Sequence, residues 1–287
     1  MEVSAYGTSQ YATSVTFNET ATLEAIPVMG GANTPQVMTN EPKGTMQFSS
    51  IMTNASQVSS LTGRIGKVSK ANGTGAAAPQ TLKAGALEAP SDNQMTNMTV
   101  SAEAGGVITI SSTASFNGQS NFDGTPGTPS TAKITPLLAA SISGTLTPGG
   151  GGSAIELSGM QSFSYSASQS FKEEKKVGST TPDVSLSEGT ITLEIASDSS
   201  AIDYDIVRIT GASGICGEAA GEDDRAYWSY SINVYDCSGN SVYPIAGSGI
   251  LEGRGTSASP GNPTKTTMTF VDRLPNDVFP DETQDCA

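Results

Sequence analysis

The chain has 287 residues, a net charge of −14, no histidine and only 15% charged residues. Without His there are no His-based triads, His general bases or His metal ligands. The chain lacks a basic footprint, and tight nucleic-acid binding needs one to displace counterions from phosphates.

Hydrophobic residues make up 36% of the chain. Gly, Ser, Thr, Asn and Ala fill the remainder rather than charge, which argues against disorder. Such a composition suits short strands joined by Gly- and Pro-rich turns. The length suits two domains. Residues 1–148 carry 6 Lys+Arg and 8 Asp+Glu, whereas residues 149–287 carry 8 and 20. The acid excess therefore lies in the second half, where it serves solubility or repels DNA.

Residues 1–14 read as an extended arm or edge segment. Their sequence has neither the basic start nor the apolar core of a signal peptide. Residues 15–48 follow as a two-stranded arm. Ile51, Val58 and Leu61 then fall on one helical face, with Gly63 as a stop, predicting a short helix within 49–66. Residues 67–97 lack a period and read as a long loop with some Ala-rich helix potential. Strands are predicted at 98–100 and 107–110, a Gly/Asn/Pro loop at 117–130, and a strand or short helix at 132–146. Pro148-Gly149-Gly150-Gly151-Gly152-Ser153 is the linker, because consecutive glycines are costly to order.

The second half opens on its clearest feature, residues 160–195. Phe163 and Tyr165 alternate with Ser162, Ser164 and Ser166, while Ile191, Leu193 and Ile195 alternate with Thr190, Thr192 and Glu194. Such alternation places one set of side chains on each face of a sheet. Between the two strands lies a polar tip with Lys172, Glu173, Glu174, Lys175 and Lys176. A second short helix is expected after Asp198 or Ser199, burying Ile202 and Ile206. The loop 211–224 holds Glu218, Glu222, Asp223 and Asp224. Trp228, Tyr230, Ile232 and Val234 then alternate with polar residues as a strand. Cys237-Ser238-Gly239-Asn240 is a hairpin signal. It leads into a strand with Val242, Tyr243 and Ile245. Residues 264–271 form a last strand, before an acidic tail at 274–287.

The halves resemble each other. Val15 and Phe17 fall where Phe163 and Tyr165 fall, and Gly31 and Pro35 match Gly178 and Pro182. After a two-residue gap, residues 44–48 match 189–193. Residues 115–135 match 249–269 in the same order. These matches predict a tandem duplication, with domain 1 at 1–148, a linker at 149–153, domain 2 at 154–273 and the tail at 274–287.

No catalytic constellation emerges. Glu222, Asp223 and Asp224 lack the aromatic surroundings expected of paired glycosidase carboxylates. A calcium site at 218–224 does not fit EF-hand spacing, and the glycine runs lack a phosphate-loop Lys. The three cysteines, Cys216, Cys237 and Cys286, form no framework, and a Cys216–Cys237 pairing stays open. No apolar run reaches the roughly 20 residues needed to span a membrane. The expectation is a non-enzyme without cofactor or metal.

Residues 158–273 resemble the tail tube proteins of tailed bacteriophages. The resemblance rests on Gln161-Ser162-Phe163-Ser164-Tyr165-Ser166, a charged tip, the 178–182 segment and Gly189-Thr190-Ile191-Thr192-Leu193. The run 230–239 and the closing strand 266–270 also match. The resemblance implies a mainly β fold: two tandem β-sandwich or half-barrel domains of tail-tube type, each with a long β-arm and one short helix. It further implies trimeric, pseudo-hexameric rings of this chain that stack into a tube around an electronegative channel. Phe171, Lys172, Glu173, Glu174, Lys175 and Lys176 would contact the next ring, and Glu218, Glu222, Asp223 and Asp224 would face the channel or solvent. The implied partners are other copies of the chain and tail proteins such as tape measure, sheath or terminator, with DNA passing unbound and no membrane contact. The implied location is the virion, after assembly in host cytoplasm. A head decoration or head–tail adaptor protein is the alternative, ahead of a surface adhesin or a carbohydrate-active enzyme.

Overall fold

A computed structural model describes residues 2–21, 23–25, 36–38, 42–70, 76–122, 135–148, 154–157, 159–174, 183–198, 227–257 and 265–274. The first-half strands are β1 (Glu2–Ala5), β2 (Thr8–Thr20), β3 (Leu23–Ala25), β4 (Gln36–Met38), β5 (Lys43–Ile51), β6 (Val68–Ser69), β7 (Ala76–Ala77), β8 (Leu82–Ala84), β9 (Leu87–Ala89), β10 (Gln94–Glu103), β11 (Thr109–Asn117) and β12 (Asn121–Phe122). Then come β13 (Ser141–Pro148), β14 (Ile155–Leu157), β15 (Met160–Glu174), β16 (Asp183–Asp198), β17 (Tyr227–Tyr235), β18 (Ser241–Ser257) and β19 (Lys265–Leu274). Helix α1 spans Ser56–Thr62. The protein is mainly β.

One sheet of fifteen strands runs through both halves, in the order β12-β9-β8-β1-β2-β5-β11-β10-β15-β16-β19-β18-β17-β13-β14. Its spine is eight strands long and contains one arrangement twice. In the first block a strand (β2) pairs with its return (β5), which pairs with the second strand of a hairpin (β11), which pairs with the first (β10). In the second block β15, β16, β19 and β18 repeat that order. The blocks join edge to edge through β10 and β15, antiparallel, from Asn97↔Ser168 to Glu103↔Ser162.

The β-bulges fall at matching places. One lies at Thr13 in β2 and one at Gln161 in β15, 148 positions apart. Taking Phe17 as equivalent to Tyr165 and following the register across each block makes Val100 equivalent to Thr256, 156 positions apart. The bulges at Thr96 in β10 and Glu252 in β18 show the same separation.

This equivalence corrects two of the sequence matches. Met46 pairs with Phe17 as Leu193 pairs with Tyr165, two residues from the match made on 44–48. A two-residue slip keeps every side chain on its face, so alternation cannot detect it. The 115–135 match also fails, because it lays β11 over β18, strands in different places in the order. Repetitive Gly, Ser, Thr and Pro produced that match.

Hydrophobic burial follows the alternation. Phe163, Tyr165 and Ala167 are buried, as are Met46 and Phe48 in β5, Met98 and Val100 in β10, and Met268 and Phe270 in β19. Each such side chain contributes about 1.5–3 kcal/mol by leaving water. Gly44 is required by close packing: a Cβ there would run into the Phe116 ring and stand 2.8 Å from the Asn18 carbonyl.

The helix forms at 56–62, inside the expected stretch 49–66, and Val58 and Leu61 are buried as expected. Ile51 belongs instead to β5, paired with both Tyr11 and Thr109. Gln57 Oε1 accepts from Thr53 N at 2.6 Å, which pins the helix start, and Gly63 N donates to Ser59 O at 3.0 Å at its end. The stretch 67–97, expected as loop, holds short strands β6 to β9. β13 pairs with β17 and β14, so strands on either side of the Gly run lie in one part of the sheet. Among the described residues no helix is long and apolar enough to cross a membrane.

Candidate functional site: a polar sheet face with two open edges

The side chains that alternate with the core line up across the spine in rows. One row runs Thr16, Gln47, Thr113, Asn97, Ser168 and Thr190, with Arg273 next in backbone register. The next runs Ser14, Ser49, Ser111, Thr99, Ser166, Thr192 and Val271. A third runs Tyr11, Ile51, Thr109, Ser101, Ser164, Glu194 and Thr269 to Gly253. Hydroxyls and amides dominate, and Glu194 is the sole carboxylate in these rows. Its equivalent in the first block is Gln47, an uncharged isostere. The face is thus hydroxyl-rich and nearly neutral at these positions.

A shallow groove of about 720 Å³ lies on this face, bordered by Ser101, Glu103, Ser164, Glu194 and Thr269. It contains no nucleophile–base pair. Among the described residues no three acidic or Cys side chains are grouped to hold a metal.

The spine ends on two incompletely paired strands. β1 pairs with β2 only as far as Tyr11, so residues 14–20 have one unpaired side among the described residues. β17 pairs with β18 only up to Ile250, leaving one side of residues 251–257 unpaired in the same sense.

The predicted two-stranded arm is present, with β15 paired to β16 from Met160↔Ser197 to Glu174↔Asp183. Phe171 is half-buried, whereas Lys172, Glu173 and Glu174 are exposed. Glu173 is bound within the chain: Lys43 Nζ lies 2.6 Å from Oε2, and Asn117 Nδ2 donates to Oε1 at 2.8 Å. Lys172 pairs with Glu174 at 3.0 Å. Lys175, Lys176, the acidic loop residues Glu218, Glu222, Asp223 and Asp224, the expected second helix, Cys216 and Cys286 lie outside the described residues. Cys237 is an exposed free thiol.

Sequence reading missed Gln169, the polar hinge of the joint between blocks. Only 5% exposed, it accepts from Gly66 N at 2.9 Å and donates to Met95 O at 2.7 Å and Arg64 O at 3.2 Å. Its one signal was a Gln at a core position of an alternating strand. Arg64 is also buried. Its guanidinium lies 4.6 Å from the Tyr6 ring centroid, and Nη2 donates to Ala78 O at 2.8 Å. Burial raises the Tyr6 pKa, partly offset by Arg64, and burial lowers that of Arg64.

A scan against protein-family models finds no match, and a search of curated proteins finds none either.

Proposed function

We propose that the protein is a structural, non-enzymatic virion protein: a tail tube component with two tandem tube-type domains, whose chains form stacked rings that conduct phage DNA. The observation that carries this reading is the spine, a repeated four-strand block with a hydroxyl-rich face and an open edge at each end. The stagger supports it. The row through Thr16 reaches Ser168, whereas the equivalent of Thr16 is Ser164. Four residues of shift per four strands is the shear ratio of closed eight-strand barrels, with a tilt of roughly 36°. Three copies of the eight-strand spine at that tilt make a barrel about 45 Å across between backbones. That leaves room for duplex DNA. A wall of hydroxyls and amides, in which Arg273 at the end of one row is the one cation among these positions, gives phosphates little to adhere to.

Disrupting the coding sequence in the virus tests the reading. Filled heads without tails are expected. Complete tails on heads lacking a surface layer would favour the decoration alternative and overturn the tube.

A further inference from the structure

The joint between the blocks shows how this chain covers a β2-type edge, and among the described residues one such edge is left uncovered. Where β10 covers β15, Phe163 and Tyr165 are 3% and 8% exposed. Their equivalents on β2, Val15 and Phe17, are only partly buried. At the far end, β18 occupies the place of β10 and leaves residues 253–257 unpaired on that side among the described residues.

We propose that residues 253–257 of β18 pair antiparallel with residues 16–20 of β2 in a second copy of this chain, in the register of the β10–β15 joint. The proposal rests on the ring reading and names the contact that builds the ring. Transferring the register sets Gly253 opposite Thr20, Arg254 opposite Glu19, Gly255 opposite Asn18, Thr256 opposite Phe17 and Ser257 opposite Thr16. At one register position the residue types carry opposite charge, Arg254 and Glu19, whose carboxylate also accepts from Ser120 within the chain; the internal joint has the buried pair Met98 and Ala167 there. Directly opposed unlike charges favour a register, and like charges oppose it. Phe17 gains the cover that Tyr165 has. The contact is head to tail, so it propagates around a ring and removes both open edges. Matching two preformed edges of the same protein also accounts for the shared bulge positions, which give each edge the same local bend and twist.

Cysteine pairing tests the joint. In full-length protein with Cys216, Cys237 and Cys286 changed to Ser, Asn18→Cys and Gly255→Cys variants are prepared separately and mixed under mild oxidant. A Cβ at Gly255 meets the Thr267 hydroxyl at 3.1 Å, so that hydroxyl must give by a few tenths of an ångström, and the folded state of the Gly255→Cys variant is checked by circular dichroism before mixing. Mixed disulfide dimers should form at least tenfold more than dimers of either variant alone, and more than in an Asn18→Cys with Leu251→Cys mixture. Charge reversal supplies a second readout: Arg254→Glu and Glu19→Arg should each reduce assembly at least tenfold, and mixing the two should restore the altered contact. Equal cross-linking within one variant, or none in any mixture, overturns the joint. Hollow rings without the cross-link would remove the joint but keep the conduit. Cross-linked open chains without rings would keep the joint and remove the conduit.

Discussion

At the residue scale, the joint between blocks depends on one buried amide. Gln169 satisfies two carbonyls and one N–H that β15 would otherwise seal from water. An unsatisfied buried group costs about 1–3 kcal/mol. Gln169→Leu should therefore lose about 2–4 kcal/mol, read as a lower urea midpoint with an unchanged m-value. Tyr165 makes stability depend on alkaline pH. Burial, with added repulsion from Tyr243 and Asp272, pushes its pKa up to about 12. The neutral phenol is thus favoured in the folded state. Its stabilisation is complete below the unfolded value of about 10 and lost as pH rises toward the folded value. Urea titrations from pH 8 to 11 should show falling stability, with a flatter profile in Tyr165→Phe. On the polar face, the Gln47 and Glu194 positions make a direct test of charge. The native protein should not retain DNA, whereas Gln47→Lys with Glu194→Lys should bind it with affinity falling steeply in salt. Equal DNA retention by both proteins would contradict the neutral-wall argument.

At the element scale, the arm is a continuation of the sheet. Its base lies in the spine between β10 and β19, and only residues 169–174 and 183–188 extend beyond it. The Lys43–Glu173 pair at this point is exposed at 59% and 29% of its side chains. Exposed pairs contribute about 0–1 kcal/mol, so Lys43→Ala should shift global stability little. Deleting the tip, residues 175–182, should leave folded oligomers that fail to stack, as seen by electron microscopy. Normal tubes after the deletion would remove the stacking role. The 237–240 hairpin depends on Asp236, whose Oδ1 accepts from Asn240 N at 2.9 Å and Ser238 N at 2.8 Å. The backbone bond from Asn240 is the main cause that lowers the Asp236 pKa. This local stabilisation is present above the ordinary carboxylate pKa and lost as pH falls through the lowered one. Amide protection at Ser238 and Asn240, measured relative to the intrinsic exchange rate at each pH, should fall only under strongly acidic conditions.

At the scale of the whole molecule, alternation revealed the strands but not their neighbours. Phe163 to Ser166 and Trp228 to Val234 announced their faces through a period of two, and both runs are strands. The arm was legible because its two alternating runs are close in sequence. The junction of β10 with β15 was not, since pairing between distant strands leaves no local mark. Nor was the neutrality of the polar face, because net charge says nothing of which rows carry it. Short strands β6 to β9 escaped because two or three residues cannot display a period. The equivalence of the blocks was partly visible in Phe17 and Tyr165, but its register emerged from bulges that composition does not encode.

The central claim is that these eight strands form part of a closed wall. Electron microscopy of the purified full-length chain, paired with its mass in solution, tests this most directly. The account predicts hollow rings or tubes with three chains per layer and a wall diameter of about 45 Å between strand backbones. A chain that stays monomeric up to its solubility limit, or assembles only into solid fibres, would contradict it.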